Sequence, residues 1–148
     1  MIQRRAYIRR TKPMPRASAP IPRRKRVKAQ RTTPRAALAR KCAALWSRLI
    51  APEGAMCFMR ESNMGPACSG RIDAAHVFGK GAHPGVRYER WNGVPLCRAH
   101  HDHYTAHPTV WLLIFRVEWG RKLYAERLVA ASKPGRDLAD VRAELEAA

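Results

Sequence analysis

The chain has 148 residues, a formal net charge of +18 and four cysteines, a length that holds one small domain with extensions and excludes two full cores. The charge is uneven: residues 1–41 carry fifteen Lys/Arg and no Asp or Glu, residues 42–148 fourteen basic and eleven acidic side chains, so +15 lies in the first segment and +3 in the rest. Cations without counter-charge repel one another and are matched by a polyanion, most commonly nucleic acid. An anionic membrane surface competes as a partner, but the basic segment lacks the Phe/Leu/Trp face of an interfacial helix. The start MIQRRAYIRR has charge with no apolar stretch behind it, and the longest apolar run, residues 110–115, is too short to cross a bilayer. No membrane association, a reducing cytoplasm and cysteines held as metal thiolates are therefore expected.

Residues 1–32 are rich in Arg, Lys and Pro, and Pro13, Pro15, Pro20 and Pro22 break any helix, so a disordered basic arm is expected. Its densest cluster, Arg23-Arg24-Lys25-Arg26, suits a tether on DNA phosphates, a solubilising tail or a localisation signal. Order is expected from Thr33-Pro34, an N-cap followed by proline at the first helical position. Leu38, Cys42, Leu45 and Leu49 then recur at helical spacing up to Ala51-Pro52. Cys42 on that stripe reads as core, with a substitute ligand role as the alternative. Residues 52–70 read as irregular loop with Cys57 and Cys68 near its ends, and a loop so long in a small domain needs a staple. A strand over 71–78, a loop over 79–93 rich in Gly and cations, a second strand over 94–96 and a helix opening within 97–101 follow. His107-Pro108 ends that helix. Helices are expected over 110–118, closed by Gly120, over 121–131, and over 137–148 with Leu138, Val141 and Leu145 on one face. The expected division is an arm over 1–32, a domain over 33–132 and a C-terminal helix over 133–148.

All six histidines lie between His76 and His107. Cys97-x-x-His100 suits two ligands closing on one zinc, and Cys57 and Cys68 supply the other half of a tetrahedral structural site. The plainer alternative is small buried cysteines beside a surface histidine. A histidine on the first strand, an asparagine before the second and a histidine opening the next helix, here His76, Asn92 and His101, would converge on one cleft. In these residues the chain resembles the HNH endonucleases, whose ββα-metal motif uses those three positions and is often stapled by a zinc knuckle. Within that family it is most similar to the phage recombination-enhancement, RecA-dependent nucleases. The run Leu96-Cys97-Arg98-Ala99-His100-His101-Asp102-His103 and the basic arm ahead of a zinc domain carry that likeness, which covers about residues 57–107.

The resemblance implies an α+β fold, a small ββα-metal (HNH) zinc domain with flanking helices and a disordered basic N-terminal arm. It implies a DNA endonuclease of little sequence specificity, acting in phage or bacterial recombination or DNA processing, with structural Zn²⁺ and a catalytic Mg²⁺ or other divalent cation. His76 would be the general base, an imidazole of ordinary pKa about 6.5. Asn92 would fix the loop that orients it, and His101 would hold the ion. Lys80, Arg87 and Arg90 would bind flanking phosphates. Ala75 stands where many members carry an Asp or second His as a metal ligand, which leaves the second ligand open. His103 is the first candidate, followed by Asp73, His83 and His107. A RecA-type recombinase filament is the partner implied. A non-catalytic, zinc-stapled nucleic-acid-binding protein and a basic RNA-binding protein stay as alternatives; for the latter only Trp91 offers a stacking ring, because Trp46, Trp111 and Trp119 fall in expected helices.

Overall fold

The structure, a computed structural model, describes residues 33–148; the expected disorder of the arm and the DNA contacts assigned to Arg23, Arg24, Lys25 and Arg26 lie outside the described residues. Helix α1 (Pro34–Ile50) starts as its first two residues dictate. Thr33 Oγ1 accepts from the Ala36 N–H at 3.2 Å, and Pro34 sits in the first turn, where its missing N–H has no helical partner to lose. Cys42, Trp46 and Ile50 form its buried stripe, one turn apart.

Strands β1 (Ile72–His76) and β2 (Gly93–Cys97) pair antiparallel, from Ile72 opposite Cys97 to His76 opposite Gly93. β1 does not run through Phe78, because after Val77, whose amide still meets the facing main chain in register, the Phe78 amide turns to a side chain. The Val77 N–H donates to the Asn92 carbonyl at 2.9 Å and the Phe78 N–H to Asn92 Oδ1 at 2.7 Å. Between the strands, where a plain loop was expected, lie two 3-10 turns, Pro84–Val86 and Arg90–Asn92. Gly93 is held by packing: a Cβ there would lie 2.5 Å from Trp46 Cζ2 and 2.6 Å from Ile50 Cγ1, so its bare Cα is what lets α1 lie against the sheet.

The remaining helices are α2 (Arg98–Ala106), α3 (Pro108–Glu118), α4 (Gly120–Ala131) and α5 (Leu138–Ala147). α3 starts two residues ahead of the expected Val110, since Pro108 fits a first helical position. Asp137 caps α5 by accepting from the Ala139 N–H at 2.7 Å, and α5 packs on α1, with Val141 buried and the Cys42 thiol 3.5 Å from the Leu138 carbonyl. Cys42 is thus core at a helix contact and does not join the other cysteines. Leu96, Phe78, Tyr104, Trp111 and Phe115 centre the main core. Trp91 packs edge-on to Phe78 and Trp119 with the Arg127 guanidinium 5.1 Å from its ring, so it belongs to an aromatic cluster and is half-buried in it. The result is a mixed fold in which helices surround a small two-stranded sheet. No helix among the described residues is long and apolar enough to cross a membrane.

Candidate functional site

Cys57, Cys68, Cys97 and His100 converge, with one ligand atom from each within 4.8 Å of all the others. Local structure brings them there. Cys97 ends β2 and His100 lies in the first turn of α2, so three residues of chain turn both donors to one point. The Phe58 N–H donates to the Pro95 carbonyl at 2.8 Å, and the Ala99 N–H to the Ser69 carbonyl at 3.3 Å, tying the two ends of the long loop to that corner. His100 Nδ1 lies 3.6 Å from Cys57 Sγ, 3.6 Å from Cys68 Sγ and 3.2 Å from Cys97 Sγ. A tetrahedron with zinc–sulfur bonds of about 2.3 Å and a zinc–nitrogen bond of about 2.0 Å has sulfur–nitrogen edges of about 3.5 Å, so the donor set fits. Burial opposes ionisation of Cys97, but the backbone N–H groups of His100 and Ser69 and the His100 ring overcome it and bring the thiol down to about 6. That favours the thiolate at Cys97, whereas desolvation and the neighbouring Cys57 and Cys97 push the Cys68 thiol up to about 11, so it is the donor whose ionisation a bound metal would have to drive.

His76, at the end of β1, stacks on Trp46 with ring centroids 4.1 Å apart and planes at 16°. Its Nε2 lies 2.9 Å from the Arg87 carbonyl, which as an acceptor fixes the proton on Nε2 and leaves the Nδ1 lone pair free. Burial pulls its pKa from 6.5 down to about 4; the bond to Arg87 opposes this, and the charges of Lys80 and Arg87 add to it. The ring is therefore neutral near pH 7. Asn92, fully buried, holds the segment that carries Arg87. Besides accepting from the Phe78 N–H, its amide donates to the Phe78 carbonyl at 3.1 Å and to the Val86 carbonyl at 2.9 Å. One side chain thereby fastens both ends of the loop between β1 and the first 3-10 turn.

His76 and His101 line one cavity of about 610 Å³, together with Lys80, His83 and Arg87. His101 Nδ1 faces Asp73 Oδ2 at 3.9 Å, beyond hydrogen-bond range, and has no hydrogen-bond partner among the described residues. Asp73 is itself ion-paired to Arg71 at 2.9 Å and Arg98 at 2.7 Å. His103 is not brought beside His101: two residues advance a helix by about 200°, and its ring lies against Tyr104 and His107, at 5.0 and 4.7 Å. His83 points Nδ1 at the Ala131 carbonyl, 3.3 Å away. Lys80 and Arg87 reach the cavity, whereas Arg90 is exposed on the second 3-10 turn and does not line it. Two participants escape a reading of the sequence. Trp46 looks like ordinary helical core, and no pattern in α1 announces that its ring would lie on His76. Arg87 is visible only as a loop cation, while its carbonyl does the orienting.

The described residues thus define a class: a mixed helical fold with a two-stranded sheet and a Cys₃His cluster that could bind a metal, its donors consistent with structural zinc. No protein-family model, curated protein or solved structure matches the chain.

Proposed function

We propose that the protein is a metal-dependent DNA endonuclease of the HNH type, hydrolysing phosphodiester bonds with little sequence specificity. The observation that carries the reading is the common cavity of His76 and His101, one from a strand and one from the next helix, beside a Cys₃His cluster and an asparagine that clamps the intervening loop. A binding module needs a staple and cations, but has no use for two histidines facing one cavity. In this reading His76 Nδ1 takes a proton from the attacking water, and the Arg87 carbonyl holds the ring for that direction of approach. The low pKa keeps the base unprotonated at neutral pH, at the cost of weaker basicity. His101 supplies a ligand for a divalent cation such as Mg²⁺, which when bound stabilises charge on the phosphate and leaving oxygen. Asp73, 3.9 Å from His101 Nδ1, is the carboxylate nearest that nitrogen and would orient the imidazole only on closing to hydrogen-bond distance. Lys80 and Arg87 contact phosphates and carry no base readout. The likeness to RecA-dependent nucleases adds a recombinase filament as partner and a phage or bacterial recombination role.

The second reading is a zinc-stapled nucleic-acid-binding protein without catalysis. It is favoured by His76 lying flat on Trp46, as a packing histidine does. Nicking of supercoiled plasmid and cleavage of single-stranded circles separate the two. The assays are run with Mg²⁺ or Mn²⁺, with and without a recombinase filament. Cutting that needs the added divalent ion while the protein retains its zinc supports the nuclease. Salt-sensitive binding with no cutting in any arm supports the module.

A further inference from the structure

A second cavity, of about 490 Å³, opens beside the first, and Arg87 and Tyr88 line both. To these it adds Arg35 from the first turn of α1 and Arg136 from the segment before α5. Arg136 is engaged by Glu89 at 3.0 Å and by Glu144, whereas among the described residues neither Arg35 nor Arg87 forms an ion pair. No acidic residue lies in the first turn of α1. The Arg87 guanidinium sits 5.2 Å from the Tyr88 ring centroid, and that ring is anchored by its hydroxyl donating to the Ala39 carbonyl at 3.2 Å. Pro84 and Leu138 give the cavity apolar walls.

We propose that the second cavity carries the continuation of an unpaired DNA strand whose reacting phosphate sits between His76 and His101. The proposal rests on the nuclease reading and narrows its substrate to single-stranded DNA or the single-stranded part of a branched molecule. The cavity is of small-molecule size, which admits one nucleotide unit and not a stacked base pair. Free arginines for phosphate and an aromatic ring with apolar walls for sugar and base are the combination by which proteins hold single strands without reading sequence. Continuity is supplied by Arg87. Its side chain touches both cavities while its carbonyl holds His76, so a phosphate drawn to the guanidinium lies next to the group that orients the base. Thr33 is on the lining of this cavity, and the twelve Lys/Arg of residues 1–32 precede it directly in the chain.

The test uses the full chain and a short fluorescein-labelled oligonucleotide, as a single strand and as the matching duplex, with anisotropy followed across a salt series. Arg35 is exposed, so Arg35→Ala is expected to keep fold and zinc content, checked by circular dichroism and metal analysis. At about 0.1 M salt one phosphate contact on a single strand is worth roughly fivefold in affinity, and its loss lowers the salt slope by about 0.7. Arg35→Ala should show that loss on the single strand and less than about twofold on the duplex, while Arg116→Ala, an exposed α3 cation away from both cavities, shifts neither. Equal losses for Arg35→Ala and Arg116→Ala, or equal losses on strand and duplex, would overturn the proposal. Mn²⁺-dependent cutting by the wild type, scored in the same samples, keeps the two ideas apart. Cutting with no Arg35 effect removes the strand path and leaves the nuclease; a strand-specific Arg35 effect without cutting, in a parallel arm with a recombinase filament as well, removes the nuclease and leaves a single-strand binding cavity.

Discussion

Replacing Asn92 by alanine removes three hydrogen bonds at once, at 2.7, 2.9 and 3.1 Å, from a side chain with no exposed surface. Each such bond contributes about 1 kcal/mol net, and the Phe78 amide and the Phe78 and Val86 carbonyls would be left unsatisfied, so the loss should reach about 3–5 kcal/mol. That is a large share of the roughly 5–15 kcal/mol that stabilises a domain. At roughly 4 °C per kcal/mol for a domain of this size, thermal unfolding should move down by about 12 °C or more. Asn92→Asp keeps the acceptor for the Phe78 N–H but aims a second oxygen at two carbonyls. It should be at least as damaging at pH 7 and recover in part in acid, as the carboxyl gains a proton it can donate. The assay is circular dichroism melting at fixed zinc, with hydrogen exchange at the Phe78 amide as the local readout. Melting points within about 2 °C of wild type for both variants, with the Phe78 amide still protected, would refute the clamp.

Three further outcomes follow from the same geometry. Purified protein should hold one zinc per chain, and cobalt substitution should give a thiolate charge-transfer band that Cys97→Ser weakens, two of the three thiolates remaining. Because structural zinc sites contribute apparent energies of about 10–16 kcal/mol at pH 7, chelation should unfold the domain cooperatively, and a chelated protein with an unchanged melting point would argue against the site. Gly93→Ala would force Trp46 and Ile50 back from a Cβ 2.5–2.7 Å away, with an overpacking loss of about 1–3 kcal/mol and loosening of the Trp46–His76 stack; Gly79→Ala, which meets nothing within 4 Å, serves as its comparison. For pH, burial holds folded His76 at about 4 against 6.5 when unfolded, so the unfolded chain binds the proton first. The stability tied to the neutral ring is present above about pH 6.5 and is lost as pH falls toward about 4. Its size is about 2 kcal/mol after allowance for solvent screening at the partly open ring. His76→Gln should flatten that part of a stability–pH curve, and an unchanged acid limb would contradict it.

How far the sequence discloses this arrangement depends on whether a feature is local or tertiary. The start of α1 is local chemistry, an N-cap threonine followed by proline, and Cys97-x-x-His100 is a local turn; both stand where their residue types direct. The strand, loop, strand, helix order is likewise carried by short-range patterning. The end of β1 is not, because Phe78 looks like continued strand until the side chain of Asn92, fourteen residues on, takes its amide. Trp46 on His76, Gly93 beneath Trp46 and Trp91 inside an aromatic cluster all depend on how α1 and α4 dock, which residue spacing within one element does not encode. His103 is a case in which proximity in sequence and helical geometry pull apart. Its closeness to His101 in sequence ranks it first as a shared ligand although a helical turn is expected to swing it away, and its ring indeed lies against His107 and not on the cavity that His101 lines.

The central claim is that His76 is the base of a DNA-cutting site, and the most direct measurement compares His76→Ala with wild type for cleavage of single-stranded circles in Mg²⁺ or Mn²⁺, with zinc content and DNA affinity recorded on the same samples. The account predicts that the variant keeps its zinc and its salt-dependent DNA binding and loses cleavage by about two orders of magnitude or more, the usual contribution of a general base. Cleavage by the variant at the wild-type rate, or a wild type that binds DNA and cuts nothing with either ion, with or without a recombinase filament, would contradict it.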